Sequence, residues 1–409
     1  MPAADAPLRR GEPAYRRLTL AMLFAGFSTF SLLYAVQPLL PAFAAAYHLS
    51  AESASLAVSF ATGPLAIGIL FAGLLSDRIG RRPVMIAAMV AAGALTLAAA
   101  AMPGWYGLLA LRLLTGIALA GVPAVAMAYV AEEVDAKSVG AAMGLYIAGS
   151  ALGGMGGRLI ASLLADLAGW RGALAGVGIA GLAMAEAFRR LAPPSRGFVP
   201  GGGTAPLAGL AALLRDRALP WLYAEAFLLM GAFVTLYNYI GFRLLGPPYR
   251  LSQTAVGLVF LLYVLGSVSS ALFGSFAGRI GRRRVFWLPI VLLITGGGAT
   301  AARPLWLVIL GIALVTIGFF GAHSIASAWV GRRALGRRGQ GAALYLFFYY
   351  LGSSVLGSAG GIAWTRAGWP GVANFCLILG LAALAIGVRL ASVPPLVVPE
   401  RPDRAPVEP

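Results

Sequence analysis

The stretch Gly73-Leu-Leu-Ser-Asp77-Arg78-Ile79-Gly80-Arg81-Arg82-Pro83-Val84 joins two apolar runs, and Gly274-Ser-Phe-Ala-Gly278-Arg279-Ile280-Gly281-Arg282-Arg283-Arg284-Val285 joins two others, 201 residues further on. A second correspondence runs at an offset of 204, where Tyr146, Ser150, Leu152, Gly153, Gly156 and Gly157 match Tyr350, Ser354, Leu356, Gly357, Gly360 and Gly361. Phe30, Leu33 and Tyr34 recur as Phe233, Leu236 and Tyr237. Offsets that agree within a few residues over three pairs of segments, all with one membrane orientation, predict two parallel repeats.

Composition says what those repeats are made of. Of 409 residues, 60% are hydrophobic and 11% charged, more apolar than a soluble domain can cover with a polar surface, so lipid is the expected solvent. A helix crosses the hydrocarbon layer with about 20 apolar residues. Charged and turn residues separate twelve such runs, at 18–43, 53–76, 83–102, 104–130, 139–165 and 170–191, then at 219–245, 252–277, 285–302, 304–330, 340–365 and 369–391. The predicted class is an all-α membrane protein of twelve transmembrane helices in two six-helix bundles. The first run carries Tyr34, Gln37, Pro38 and Pro41 without a small-residue cleavage signal, and is expected to be a retained helix.

The net charge of +17 comes from short clusters between the runs, not from one basic domain. With the N-terminus cytoplasmic, 24 of the 31 Lys and Arg fall on the cytoplasmic side, and the positive-inside rule selects that orientation, both termini included. Domain organisation follows: a tail at 1–17, a bundle at 18–192, a linker at 193–217 rich in Gly, Pro and Arg, a bundle at 218–391 and a tail at 392–409. Cys376 is the single cysteine, which excludes an internal disulfide. No metal or nucleotide motif is present, so no cofactor and no nucleic-acid partner is expected.

These residues resemble the major facilitator superfamily over nearly all of 18–391. Gly73 to Arg82 matches its cytoplasmic loop motif, and Arg112-Leu-Leu-Thr-Gly116 matches a basic motif of the fourth helix. Tyr34-Ala-Val-Gln37-Pro38-Leu-Leu-Pro41 and the run Gly149 to Gly157 are similar to bacterial drug/proton antiporters and to the group labelled arabinose efflux permeases. The chain departs at Gly153-Gly154, where antiporters usually carry Gly-Pro. The resemblance implies a secondary transporter that works by alternating access in the bacterial cytoplasmic membrane, as a monomer. Helices one, four, seven and ten would line its cavity, and the fifth helix would face the eighth.

Site candidates follow from polar residues inside apolar runs. An Arg, Glu or His within a span is costly and marks function or a partner. Glu225, His323 and Arg112 are accordingly expected to couple proton movement, with Glu225 and His323 meeting at one depth in the cavity. Arg158, nearer the outer end of its run, is expected to reach the surface or Asp166. Tyr34, Gln37, Tyr237, Asn238 and Tyr239 combine hydrogen-bonding groups with aromatic faces suited to a small organic substrate. Gly73, Asp77, Arg78, Gly80, Arg81 and Arg82, with Glu132 or Glu133 as acidic partner, form the expected cytoplasmic gate. Gly149, Gly153, Gly156 and Gly157 allow close helix packing. The expected function is proton-coupled efflux of a small organic compound. A proton-coupled uptake symporter is the alternative, ahead of a transporter-like sensor or scaffold, and no enzyme is expected.

Overall fold

The computed structural model describes residues 7–195, 198 and 206–394, so the expected tails and the 193–217 linker lie in part outside the described residues. Among the described residues, apart from the short helix Pro206–Leu214, twelve helical segments follow in order: α1 Pro13–Tyr47, α2 Ala51–Ile79, α3 Arg81–Ala100, α4 Trp105–Glu133, α5 (139–168), α6 (170–191), α7 Leu219–Leu245, α8 Gln253–Ile280, α9 (282–299), α10 Leu305–Arg333, α11 (338–366) and α12 (369–392). Two non-helical points divide the longest segments: Gly169 (φ 68°) separates α5 from α6, and Ala367 with Gly368 separates α11 from α12. Among the described residues there is no β-strand, only a bridge between Leu8 and Val134. Spanning helices satisfy their own backbone bonds, which is the form a lipid solvent demands. Side chains such as Ile67, Phe71, Ile147 and Val388 stay exposed on the outer surface, where lipid would cover them.

The duplication is visible in local chemistry. Ser50 accepts a bond from the Ser53 amide at 3.1 Å to cap α2, and Ser252 accepts one from Ala255 at 3.1 Å to cap α8. Gly80 and Gly281 both take φ 106° in the turns after α2 and α8, a backbone region open to glycine and strained for other residues.

α5 packs on α1 at backbone distance. A Cβ on Gly149 or Gly153 would run into the Leu23 or Phe27 carbonyl, and one on Gly157 would lie 2.5 Å from Ser31 Cα. Gly156 faces the Phe27 ring. The sequence-based expectation put α8 opposite these glycines; the glycine face instead belongs to the contact within the first bundle, because backbone-to-backbone approach occurs there. α11 repeats the arrangement on α7, with Gly352 against Phe227 and Gly360 against Thr235.

Hydrogen bonds that join the two bundles cluster at one end of the molecule. Ser55 and Ser59 on α2 interlock with Ser354 and Ser358 on α11 at 2.6–3.1 Å. Asp166 accepts from the Gln253 and Thr254 amides at 3.2 and 2.7 Å, and the Gln253 side chain donates to the Pro38 carbonyl. At the opposite end lie the turns at Gly80 and Gly281. The bundles are therefore clasped on the side away from those turns.

Candidate functional site

Pro38 and Pro41 interrupt α1, and residues 37–39 form a 3-10 turn, so the carbonyls just before the break lose their helical donors. Arg112 of α4, 1% exposed, takes that place. Its Nη1 donates to Leu32 at 3.0 Å, its Nη2 to Leu33 at 2.6 Å and its Nε to Ala57 of α2 at 3.0 Å. Arg112 thus holds the broken end of α1 to α2, and it does not contact Glu225 or His323.

A second buried arginine sits at the centre. Arg158 of α5 is 2% exposed, and neither the surface nor Asp166 is its partner, contrary to the expectation that it would snorkel. Its guanidinium lies against Gln37 and Tyr34 of α1. Nε donates to Gln37 Oε1 at 2.7 Å and Nη1 to the Gly154 carbonyl at 2.5 Å. Three rings surround the guanidinium, Tyr34 at 4.3 Å, Tyr263 at 5.0 Å and Phe260 at 5.1 Å. Gln37 passes the contact on, donating to Asn238 Oδ1 of α7 at 2.7 Å, and Asn238 donates to the Gly357 carbonyl of α11 at 3.3 Å. One polar line thus crosses both bundles at the floor of the clasp.

The five residues expected to bind substrate divide. Tyr34, Gln37 and Asn238 gather around Arg158. Tyr237 stands behind them, bonded to Thr316 at 2.8 Å and stacked on Phe260. Tyr239 turns away, its ring against Phe242 and Trp364 and its hydroxyl on the Ser358 carbonyl. Consecutive helical residues point about 100° apart, so Tyr237, Asn238 and Tyr239 cannot share one face.

Glu225 and His323 do not touch. Glu225 is fully buried, and neither carboxyl oxygen has a hydrogen-bond partner. A Cβ added to Gly387 of α12 would lie 3.6 Å from Glu225 Oε1 and 3.3 Å from Ile290 of α9, which places the carboxyl inside the second bundle and not in a cavity between the bundles. His323 bonds through Nδ1 to the Tyr345 hydroxyl at 3.0 Å and packs on Phe319 and Tyr349. Sequence reasoning missed Tyr345, because a tyrosine in an apolar run carries no signal of its own.

The loop stretch is held by ion pairs. Arg81 pairs with Asp77 at 2.5 Å and with Glu132 at 2.8 Å, and donates to Ser76 Oγ at 2.6 Å. Of the two acidic candidates on α4, Glu132 is the one on Arg81; Glu133 is buried on another face, and its carbonyl accepts from the Leu8 amide. Arg82 caps the end of α6 through the Ala192 and Arg189 carbonyls at 2.9 and 2.7 Å, while Arg78 is exposed. Gly73 lies in open space, its carbonyl accepting from Ser76. In the second bundle, where Gly278 replaces Asp77, an ion pair forms elsewhere: Arg333 Nε meets Asp216 Oδ1 at 2.7 Å. The same oxygen accepts from the Ala218 and Leu219 amides at the start of α7. Partial burial would push the Asp216 carboxyl up, yet Arg333 and those two amides hold it below its ordinary value.

Comparison with known proteins agrees with this architecture. The sequence model described as Major Facilitator Superfamily matches residues 21–252. The inner membrane transport protein YnfM of Escherichia coli is 45% identical over 390 residues, covering 94% of this chain and 92% of its own length. The MFS-type transporter YybF of Bacillus subtilis is 43% identical, covering 94% and 96%. Among solved structures, a bacterial homologue of the human lysosomal transporter Spinster superposes with a TM-score of 0.73 at 15% identity, over 93% of this chain and 96% of its own, which speaks to the fold.

Proposed function

The chain belongs to the major facilitator superfamily and is a multi-pass membrane transporter, not an enzyme, and from that premise we propose that it exports a small organic compound in exchange for protons. The observation that carries this reading is Glu225, a fully buried carboxyl with both oxygens unpartnered. An ionised carboxylate left alone in such an interior costs several kcal/mol. The conformation seen here is consequently stable with a proton on Glu225, and release of that proton requires a rearrangement that brings water or a partner to it.

In this reading Tyr345 links Glu225 to His323, which stands at the edge of the aromatic wall formed by Phe319 and Tyr349. Substrate binds beside Tyr34, Gln37 and Asn238, near Arg158. Bundles 18–192 and 218–391 rock about that site, with the serine contacts of α2 and α11 opening as the end at Gly80 and Gly281 closes, while the Asp77–Arg81–Glu132 cluster, already formed here, braces the first bundle. Arg112 keeps the broken α1 attached to its own bundle during the motion. The charge distribution supports placing the Arg81 end and both termini in the cytoplasm of a bacterial cell. The clasped end then faces outward.

The test is substrate-triggered proton movement in proteoliposomes, for wild type and Glu225→Gln, across sugars, amino acids, drugs and organic acids. Outward substrate movement driven by an inward proton gradient, lost in Glu225→Gln, is expected. Co-movement of substrate and proton in one direction would replace export by uptake, and normal coupling in the variant would remove Glu225 from the mechanism.

A further inference from the structure

Resting on the reading of a central binding site between the bundles, we propose that the transported compound is an organic anion, a carboxylate on an aromatic or other planar apolar body, and that Arg158 is the group that binds its charge.

The argument begins with what Arg158 lacks. A buried cation is retained where it is paired, because leaving it alone costs far more than a lost hydrogen bond. Among the described residues no carboxylate forms an ion pair with Arg158. Asp166, on the same helix, is engaged by Gln253 and Thr254. Arg112 is a useful contrast, since all three of its guanidinium nitrogens donate to backbone carbonyls, two of them, Leu32 and Leu33, just before the break in α1. That arginine has a sufficient structural role. Arg158 uses Nε on a neutral amide and Nη1 on its own helix, and Nη2 takes part in neither bond.

The surroundings add donors rather than acceptors. The rings of Tyr34 and Tyr263 flank the guanidinium; Tyr263 Oη is buried without a hydrogen-bond partner, and Tyr34 Oη, equally buried, has the Ser353 hydroxyl of α11 as its neighbour. Two hydroxyls and a fork of N–H groups with spare capacity, drawn from α1, α5 and α8, make a set that a carboxylate would satisfy in one step. A neutral or cationic ligand would leave the arginine charge uncompensated. The wall beyond is aromatic: Tyr263 packs on Phe320, Phe320 on Phe319, and Phe319 stacks on His323. A flat apolar body lies along this wall with its charge at Arg158, and its far end comes toward the histidine through which the proton is proposed to pass. An anion leaving as a proton enters is favoured by both the pH difference and the membrane potential.

The experiment uses the purified full chain in nanodiscs, with no gradient, and measures equilibrium binding of benzoate, hydroxybenzoates and short aliphatic carboxylates against benzamide, benzyl alcohol and benzylamine. Carboxylates are expected to bind and the isosteric amide is not. Arg158→Gln should weaken carboxylate binding by about tenfold to a hundredfold, the worth of a charge-assisted hydrogen bond, with Arg158→Lys between the two. If no carboxylate binds, or the amide or amine binds equally well, or Arg158→Gln retains wild-type affinity while folded, the anion site is overturned. Since the ligand comparison is made on wild type, it holds even where a variant fails to fold. Proton movement is measured separately: carboxylate binding without it sustains the anion site and removes proton coupling, whereas proton movement driven by neutral or cationic compounds alone sustains coupling and removes the anion site.

Discussion

The Gln37 amide donates to Asn238 at 2.7 Å across the seam between the bundles, and its oxygen accepts from Arg158 at 2.7 Å. One neutral side chain therefore connects the clasped state of the transporter to the cation at its centre. Anything that changes the partners of Arg158 alters a contact on which the clasp depends.

Gln37→Ala removes that contact. A net hydrogen bond is worth about 1 kcal/mol, roughly a fivefold change in the balance between two conformations. The distance between spin labels at the clasped end, one on each bundle, should shift toward longer values in the variant, with Asn238→Ala behaving alike. An unchanged distribution in both would show that the serine and Asp166 contacts hold the clasp without Gln37.

Gly153 and Gly144 test the packing on α5. A Cβ at Gly153 meets the Phe27 carbonyl, whereas one at Gly144 meets open space. Gly153→Val is expected to destabilise by about 1–3 kcal/mol or more, as overpacking does, while Gly144→Ala changes little. Thermal unfolding in detergent compares them.

Arg81 bridges Asp77 and Glu132 while partly shielded from solvent. Arg81→Ala should cost roughly 1–2 kcal/mol locally and slow turnover more than it weakens substrate binding. Glu132→Gln should produce a smaller effect in the same direction, because Asp77 remains. Initial transport rates set beside equilibrium binding separate the two quantities, and a loss confined to binding would deny these residues a gating part.

The Asp216–Arg333 pair predicts a pH dependence. The Asp216 carboxyl titrates below its ordinary value of 3.8 in the folded chain. A lowered folded-state value means that its stabilisation is present above 3.8 and disappears as pH falls through the lowered value. Wild type should therefore melt above Asp216→Asn at neutral pH, and the gap should close in strong acid. A gap that widens on acidification would reverse the assignment.

What the sequence by itself determined is the number of helices, their apolar length and the duplication. In lipid each span bonds its own backbone, so a helix is legible from a local run without knowledge of its neighbours. The repeated stretches around Gly80 and Gly281 were local in the same sense. Only the tertiary structure decided where each polar side chain points. Tyr237, Asn238 and Tyr239 are adjacent in sequence and have three different surroundings. Glu225 and His323 stand at similar positions in their helices, yet one carboxyl is buried without a partner near α12 and the other side chain bonds Tyr345. Arg112 and Arg158 look alike as arginines inside apolar runs, yet one caps carbonyls released by a proline break and the other faces three rings and a glutamine. The rotation of each helix about its own axis makes these distinctions. That rotation is set by glycine contacts between helices far apart in the chain, which no local run of residues encodes.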